Sequence, residues 1–262
     1  MGLRIQNNVE AFNAHRQLTG TASKAAKAME KLSSGYRINK AADDAAGLAI
    51  SEKMRAQISG LAQSQRNAQD GVSLVQTAEG SLSEVHSMLN RLRELKVQYD
   101  NGTLSTDDKT AISNEATALT NEITAIGTET KFNGSALLTG STFDFVVGAE
   151  GEKISTTAVT LSTDVGTIDI TASGGLATID TAIKNVSTSR SQLGAVQNRL
   201  EHRLNNLSTY QENLVASESR IRDVDMAAEM VNFTKLQILQ QAGTSMLAQA
   251  NQAPQSVLSL LR

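Results

Sequence analysis

The single proline of the chain, Pro254, constrains its fold more than any other feature of the sequence. Proline removes a backbone donor and clashes with the preceding helical turn, so long proline-free stretches permit long uninterrupted helices. Apolar residues from Ala45 to about Gln98 recur at steps of three and four, the spacing of one helix face. A helix of that length would extend about 80 Å. Globular helices average about 11–12 residues, so the pattern predicts rods rather than an ordinary globular domain.

The composition excludes several classes of function. The 262 residues include five Phe, three Tyr, no Trp and no Cys, which excludes disulfides, thiolate nucleophiles and cysteine-based zinc sites. Three scattered His leave little for metal binding or acid–base work, and the net charge of −3 does not suggest a nucleic-acid partner. No nucleotide-binding loop, zinc-protease motif or hydrolase elbow occurs. We therefore expect no enzyme, no cofactor and no metal.

The pattern of apolar residues and glycines predicts a mainly α fold. We expect helices over about 45–98, 105–127 and 177–220, arranged as elongated antiparallel coiled-coil or helical-bundle rods. A small β-hairpin region is predicted over about 131–175, where alternating segments at 142–147 and 167–171 lie between glycines. We expect this region to cap the rods.

Local signals mark three helix ends. Ser105 with Asp108 resembles a capping box, and Asp43 or Asp44 can cap the helix that starts at Ala45. A catalytic role for this adjacent acidic pair is the alternative, which we do not favour. Gly35 can supply the positive φ that ends the N-terminal helix.

Both ends of the chain read as amphipathic helices. Near the N-terminus one stripe holds Ile5, Val9 and Phe12, and the next holds Ala22, Ala25, Met29 and Leu32. Toward the C-terminus the apolar seam runs across 221–231 without a visible interruption. Because the chain runs out and doubles back, antiparallel pairing of its two ends is expected.

The last 30 residues are nearly uncharged. Only Lys235 and Arg262 carry charge from Phe233 onward, and the apolar residues spread beyond one stripe. A lone helix of this kind would expose a large apolar patch, which usually marks an interface. The core helix of a compact monomer and a membrane-surface helix are the alternatives, although the latter lacks a basic face. We favour self-assembly or a partner helix.

The sequence also bears on localisation. The first residues lack the apolar core of a secretory signal, and no stretch approaches about 18 uninterrupted apolar residues. We therefore expect no cleaved signal peptide and no membrane span.

Several long segments resemble bacterial flagellin, in a short form without the outer variable domains. They lie in both ends and most of the predicted rods, roughly 1–138 and 176–262. The matching segments are MEKLSSGYRIN at 29–39, AADDAAGLAIS at 41–51, AQDGVSLVQTAEG at 68–80, LGAVQNRL at 193–200, ESRIRDVDMA at 218–227, MLAQANQAPQ at 246–255 and VLSLLR at 257–262.

The resemblance implies a structural subunit of the flagellar filament, which polymerises into a hollow helical tube and acts as a propeller for swimming. Residues 1–40 plus 221–262 would form the inner coiled-coil domain, and 41–220 the rod domain. The filament core interface would then use apolar residues of both ends: Ile5, Val9, Phe12, Phe233, Ile238, Leu239, Met246, Val257, Leu258, Leu260 and Leu261.

The family resemblance also implies partners and a location. The first partner is the chain itself, as a helical homopolymer. An export chaperone would hold the C-terminal segment, and the flagellar type III export apparatus, cap and junction proteins would handle the subunit. It would be extracellular, in the flagellum, having left through the flagellar channel. No nucleic acid or membrane partner is implied.

A further implied partner is a vertebrate flagellin-sensing Toll-like receptor. The segment 89–98 matches the receptor-binding type, and alignment of motifs puts Arg91, Leu95, Gln98 and Glu115 on contact positions. From the residues alone, Leu95 belongs to the helical seam. Two other functions stay open at this stage: a hook–filament junction protein of the same superfamily, and a secreted coiled-coil adaptor.

Overall fold

The fold is seen in a computed structural model, which describes residues 8–157, 159–166, 168–172 and 174–260, with side chains up to residue 252. The described residues form a mainly α structure, with two small β-hairpins in the middle of the chain. The helices are α1 Val9–Ser34, α2 Ala45–Tyr99, α3 Thr106–Glu129, α4 Leu161–Val165, α5 Gly175–Arg222 and α6 Met226–Leu260. The strands are β1 Lys131–Phe132, β2 Ser135–Ala136, β3 Asp144–Val146 and β4 Lys153–Ser155.

The chain divides into two compact units. The first contains residues 1–56 and 214–262, and the second contains residues 57–213. The rod domain predicted from the sequence covers 41–220, so the second unit begins 16 residues later and ends 7 residues earlier than predicted. The helix bounds of α2, α3 and α5 agree with the predicted ones to within two residues at each end.

The second unit is organised by two heptad seams. On α2 the buried side chains Leu61, Ala68, Val75, Leu82 and Leu89 follow one another at seven-residue steps. On α5 the same spacing joins Ile179, Val186, Leu193, Leu200 and Leu207, all of them buried. A sustained seven-residue repeat is the pattern of coiled-coil packing, and it confirms the predicted seams. Aliphatic side chains therefore form the core, with few aromatic rings.

The predicted caps are present. The Ser105 hydroxyl accepts a hydrogen bond from the Asp108 amide, and the Asp108 carboxylate accepts one from the Ser105 amide at 3.1 Å. Asp44 accepts from the Gly47 amide at 2.9 Å and so caps α2, whereas Asp43 accepts from the Lys40 amide at 3.0 Å within the preceding loop. These two carboxylates hold backbone amides, which is the structural role expected for them.

The β region differs in part from the prediction. Asn133 and Gly134 have positive φ values of 48° and 82°, which suit the two-residue turn joining β1 to β2. Strand β3 falls inside the predicted segment 142–147, but it pairs with β4 at 153–155. The predicted strand at 167–171 is wrong for the described residues 168–171, which form loop and turn. Its alternation arises because Ile168 and Ile170 are buried in the core as loop residues.

The β3–β4 hairpin packs against the flank of the helices of its unit rather than capping them. A Cβ added at Gly71 of α2 would meet the Phe145 ring at 3.0 Å, so this glycine permits the close approach of β3. Asn67 of α2 donates to the Val146 carbonyl at 3.0 Å, and Arg203 of α5 donates to the Val147 carbonyl at 2.9 Å.

Candidate assembly surface

The two end helices pair antiparallel within the first unit. Asn8 donates to the Ala250 carbonyl at 2.7 Å, and a Cβ added at Gly243 would meet Leu18 at 3.2 Å. Farther along, Leu236 packs with Ala25 in a small buried cluster. Residue numbers rise on α1 as they fall on α6, so the expected antiparallel pairing is confirmed. Small residues on both helices let the backbones approach closely.

The inner face of α6, which we define as Phe233, Leu236 and Leu247, is the face turned toward α1. Leu236 is buried, Phe233 is half-buried against Ala25, Ala28 and Leu236, and Leu247 is half-buried. Phe233 was assigned from the sequence to the filament interface. In this structure it packs inside its own chain, because it lies three residues before Leu236 on the same side of the helix.

The outer face of α6 remains uncovered. We define it as Met230, Val231, Ile238, Leu239 and Met246, all of which are exposed, Val231 and Ile238 at 72% and 62%. A shallow depression of about 490 Å³ runs along this face, lined by Met230, Val231, Thr234, Lys235, Ile238 and Leu239. Lys235 is its only charged lining residue. Helix α6 therefore carries apolar residues on two opposite faces, and α1 covers one of them.

Exposed apolar side chains concentrate in this first unit. Of the thirteen large exposed apolar side chains among the described residues, all but Val97 and Tyr210 belong to it. On α1, Val9 and Phe12 are exposed, Phe12 at 71%. Met29 is also exposed, whereas Ala25, which the sequence places on the same stripe, is buried together with Ala28.

Some of the predicted interface residues cannot be placed. Ile5 and Leu261 lie outside the described residues. Val257, Leu258 and Leu260 fall within the α6 backbone, but their side chains lie outside the described part of the chain.

A break between α5 and α6, at residues 223–225, interrupts the apolar seam that the sequence predicts to continue across 221–231. Here Val224 donates to the Gly35 carbonyl at 3.0 Å, and Tyr36 forms an isolated β-bridge with Asp223. Asp225 then accepts from the Ala228 amide at 3.1 Å and caps α6. The signal that could have revealed it is the pair of aspartates two residues apart, since aspartate favours helix caps.

The loop between α1 and α2, residues 35–44, is fastened to this break. The Arg37 amide donates to the Arg222 carbonyl at 2.6 Å. The Arg222 guanidinium is nearly buried, forms an ion pair with Glu52 at 2.6 Å and lies over the Tyr36 ring at 4.8 Å. These contacts fix where α1 and α6 begin their antiparallel pairing.

Charged groups stiffen the same loop. Glu30 pairs with Lys40 at 2.7 Å and accepts from Asn39 at 2.8 Å. These hydrogen bonds, that of Lys40 first, lower the pKa of Glu30 below its ordinary value. The amides of Lys40 and Asn39 likewise lower the pKa of Asp43.

The predicted receptor residues form a surface patch with one exception. Arg91 pairs with Glu115 at 2.9 Å and with Glu94 at 3.1 Å, and these partners raise its pKa further. Gln98 is exposed, but Leu95 is buried at 1% exposure. Leu95 is therefore not available for direct contact in this structure, because its side chain belongs to the core of the second unit.

Among the described residues, no group of three His, Cys, Asp or Glu side chains is placed to hold a metal ion. None of the described helices is both long and apolar enough to cross a membrane.

Comparison with known proteins identifies the family. Residues 5–142 match the family model described as the bacterial flagellin N-terminal helical region, and residues 176–261 match the bacterial flagellin C-terminal helical region. A flagellin of Halalkalibacterium halodurans is 54% identical over 98% of this chain and 99% of its own length. A flagellin of Bacillus subtilis is 47% identical over 99% of this chain and its own entire length.

Further relatives agree. A flagellar filament 33 kDa core protein of Treponema phagedenis is 48% identical over 98% of this chain and 99% of its own length. The crystal structure of Bacillus cereus flagellin matches with a TM-score of 0.51 and 29% identity, over 58% of this chain and 94% of that one. The two family-model matches and these full-length relatives show that the chain belongs to the bacterial flagellin family.

Proposed function

We infer that this chain is a structural subunit of the bacterial flagellar filament, which polymerises with copies of itself into a hollow helical tube that drives swimming. The observation that carries this function is the uncovered outer face of α6, together with the exposed Val9 and Phe12 of α1. Because members of this family form filaments, we expect these surfaces to pack against the same surfaces of neighbouring copies.

The energetics favour burial of these side chains between copies. Removing a large apolar side chain from water contributes about 1.5–3 kcal/mol when the burial is complete. The outer-face residues are about half to three-quarters exposed, so much of that contribution is still available after the chain has folded. Association costs roughly 4–15 kcal/mol in lost freedom, so several such side chains must be buried together.

We propose the following arrangement within the tube. Residues 1–40 plus 221–262 form the inner coiled-coil domain, and residues 41–220 form the rod domain of the next shell. The antiparallel α1–α6 pairing supports this division, since it brings both chain ends into one unit. The filament core interface comprises the exposed residues of the outer face and of α1, together with Ile5, Val257, Leu258, Leu260 and Leu261.

A polymerisation assay tests this function. The purified chain should form filaments that sediment and are visible by electron microscopy. The double substitution Val231→Ser with Ile238→Ser should abolish sedimentation while the circular dichroism of the monomer stays helical. Tyr210→Ser, which removes an exposed apolar group from the second unit, is the matched control and should still polymerise. Normal filaments from the double variant would refute the assigned interface.

Two other functions were considered from the sequence. Neither a hook–filament junction protein nor a secreted coiled-coil adaptor is favoured by any observation, and the full-length relatives cited are named as flagellins or a flagellar filament core protein. Light scattering that stays low under every pH and salt condition tried would instead favour an adaptor.

The flagellin family is structural, and we propose that this chain likewise has no enzymatic activity. We also propose that it is exported unfolded through the flagellar channel by the type III export apparatus, without a cleaved signal. Its final location would be extracellular, where cap and junction proteins meet it. Mass spectrometry of secreted protein that retains its encoded N-terminus, apart from the initiator methionine, would support this route.

An export chaperone on the C-terminal segment is a further proposed partner. Helix α6 combines low charge with an apolar outer face, and an unassembled subunit would expose it. A chaperone complex should shield Ile238 and Leu239 from hydrogen exchange at their amides. Unchanged exchange over α6 in the complex would contradict this binding site.

Recognition by a flagellin-sensing Toll-like receptor is proposed for the exposed patch of Arg91, Gln98 and Glu115. Arg91 is held in place by two carboxylates, which presents a fixed charge pattern on α2 and α3. Arg91→Ala should weaken binding of soluble subunits to the receptor. Leu95→Ala should act only through the stability of the fold, because Leu95 is buried. An unaffected Arg91→Ala variant would count against this patch.

A further inference from the structure

Methionine is the only sulfur-containing residue type of this chain, which has seven Met and no Cys. Among the methionines that the structure describes, four are exposed: Met29 at 57%, Met226 at 47%, Met230 at 49% and Met246 at 63%. In contrast, Met88 packs against the core of the second unit. Because thioether oxidation follows exposure to the oxidant in water, this difference sets an order of reactivity.

Three of the exposed methionines lie on α6: Met230 and Met246 belong to its outer face, and Met226 is the exposed first residue of the helix. Met226 precedes Met230 by one helical turn, and Met230 lines the depression on the outer face of α6. Met246 follows Leu239 by seven residues and so continues the same apolar stripe. The Met230 and Met246 thioethers are therefore part of the surface through which copies of the chain are proposed to associate, and the Met226 thioether is exposed one turn before it.

We propose that Met226, Met230 and Met246 form an oxidation-sensitive site that controls assembly: their conversion to sulfoxides by a peroxide blocks polymerisation reversibly. This inference rests on the proposed filament function. In each step a sulfur lone pair attacks one peroxide oxygen, the S–O bond forms as the O–O bond breaks, and water leaves. The sulfur loses two electrons and the peroxide gains them.

The polarity of the sulfoxide explains the block. Its oxygen is a strong acceptor that loses its water when the face is covered, and an unpaired buried polar group destabilises the contact. The polar lining of the depression offers few donors in return. The Thr234 hydroxyl already donates to the Met230 carbonyl at 2.9 Å, which leaves the Lys235 ammonium. Met246 lies eleven residues beyond Lys235, about 16 Å along α6, so this one ammonium cannot satisfy the sulfoxides at both ends of the face.

The site should act only before assembly. In the unassembled subunit the three thioethers are open to solvent, whereas in the polymer neighbouring copies would cover them. Oxidation of the free subunit is then predicted to prevent its addition, while a formed filament resists the same oxidant. Reduction by the two methionine sulfoxide reductases, one for each sulfoxide epimer, should restore the subunit.

The test begins with full-length subunits treated with hydrogen peroxide and analysed by peptide mass spectrometry. Met226, Met230 and Met246 should oxidise at least tenfold faster than Met88. The critical concentration for polymerisation should then rise at least tenfold and return after treatment with both reductases. In preformed filaments the same three residues should oxidise at least tenfold more slowly than in free subunits.

Two variants separate this site from general damage. The triple variant Met226→Leu, Met230→Leu, Met246→Leu keeps apolar, helix-favouring side chains and should polymerise equally well with or without peroxide. Met88→Leu, the matched control, should stay as sensitive as the unsubstituted chain. An unchanged critical concentration after full oxidation, or equal inhibition of the triple variant, would overturn the proposal. Failure of the untreated chain to polymerise would refute the filament function instead.

Discussion

Ile238 offers a sharp test, because its side chain is 62% exposed on the outer face of α6. The change Ile238→Ala removes about three carbon groups, each worth about 0.8 kcal/mol when transferred from water. Only the exposed part of that total, about 1.5 kcal/mol, can be gained on assembly. Since about 1.4 kcal/mol corresponds to a tenfold change in an equilibrium constant, the critical concentration should rise about tenfold.

The matched control is Leu236→Ala, which lies two residues earlier on the inner face and is 7% exposed. Truncating a buried leucine typically costs about 2–5 kcal/mol of folding stability. This variant should therefore lower the thermal stability of the monomer, whereas Ile238→Ala should leave it nearly unchanged. Circular dichroism melts and sedimentation of polymer across a concentration series measure the two effects.

The two variants can show that the assignment of the two faces of α6 is wrong. If Ile238→Ala polymerises at an unchanged critical concentration, Ile238 is not covered in the filament. If it instead destabilises the monomer as much as Leu236→Ala does, Ile238 is packed within its own chain and the assignment of the two faces is wrong.

Three further predictions concern the stability of α2, of the 35–44 loop and of the break that holds this loop. Gly47→Ala should destabilise the fold, because the added Cβ would meet Asp44 Oδ2 at 2.5 Å and Ile38 Cδ1 at 2.7 Å. Gly80→Ala, the control, has open space around it and should stabilise α2 by about 0.5–1 kcal/mol; denaturant titrations measure both effects. Arg222→Met should lower the free energy of unfolding by about 2 kcal/mol, because it removes the ion pair with Glu52 and the contact with the Tyr36 ring. Arg220 is exposed, so Arg220→Met should have little effect, and equal melting temperatures of the two variants would contradict this. The lowered pKa values of Glu30 and Asp43 mean that their stabilising contribution is present above the ordinary carboxyl pKa and is lost as pH falls through the lower folded values. The protection factors of the 35–44 amides, which correct for the slower intrinsic exchange in acid, should therefore fall before those of α2 do; unchanged protection factors would contradict this.

The long helices were predictable from the sequence, because their buried residues recur at a constant spacing. The heptads from Leu61 to Leu89 and from Ile179 to Leu207 give the long helices of the second unit directly. The helix cap at Ser105 was also predictable, since its side chain bonds to a backbone amide only three residues away, at Asp108.

Features that depend on distant partners were not predictable. The 223–225 break exists because Val224 pairs with Gly35, almost 190 residues away, while its own residues continue the apolar spacing. The segment around Ile168 alternates as a strand would, but core packing holds it as a loop. Leu95 is the opposite case: the motif match put it on a receptor-contact position, whereas the apolar periodicity of the sequence already placed it in the α2 seam, where it is buried.

The sequence by itself determined that the chain forms long helices, that its ends pair antiparallel and that the C-terminal helix has more apolar surface than one partner can cover. Only the tertiary structure decided which side of α6 is used within the chain. Both sides are apolar, so helical periodicity cannot choose between Leu236 and Ile238. The small side chains of Ala25 and Ala28 make the choice, because they let α1 approach Phe233 and Leu236 closely and leave the opposite face open for assembly.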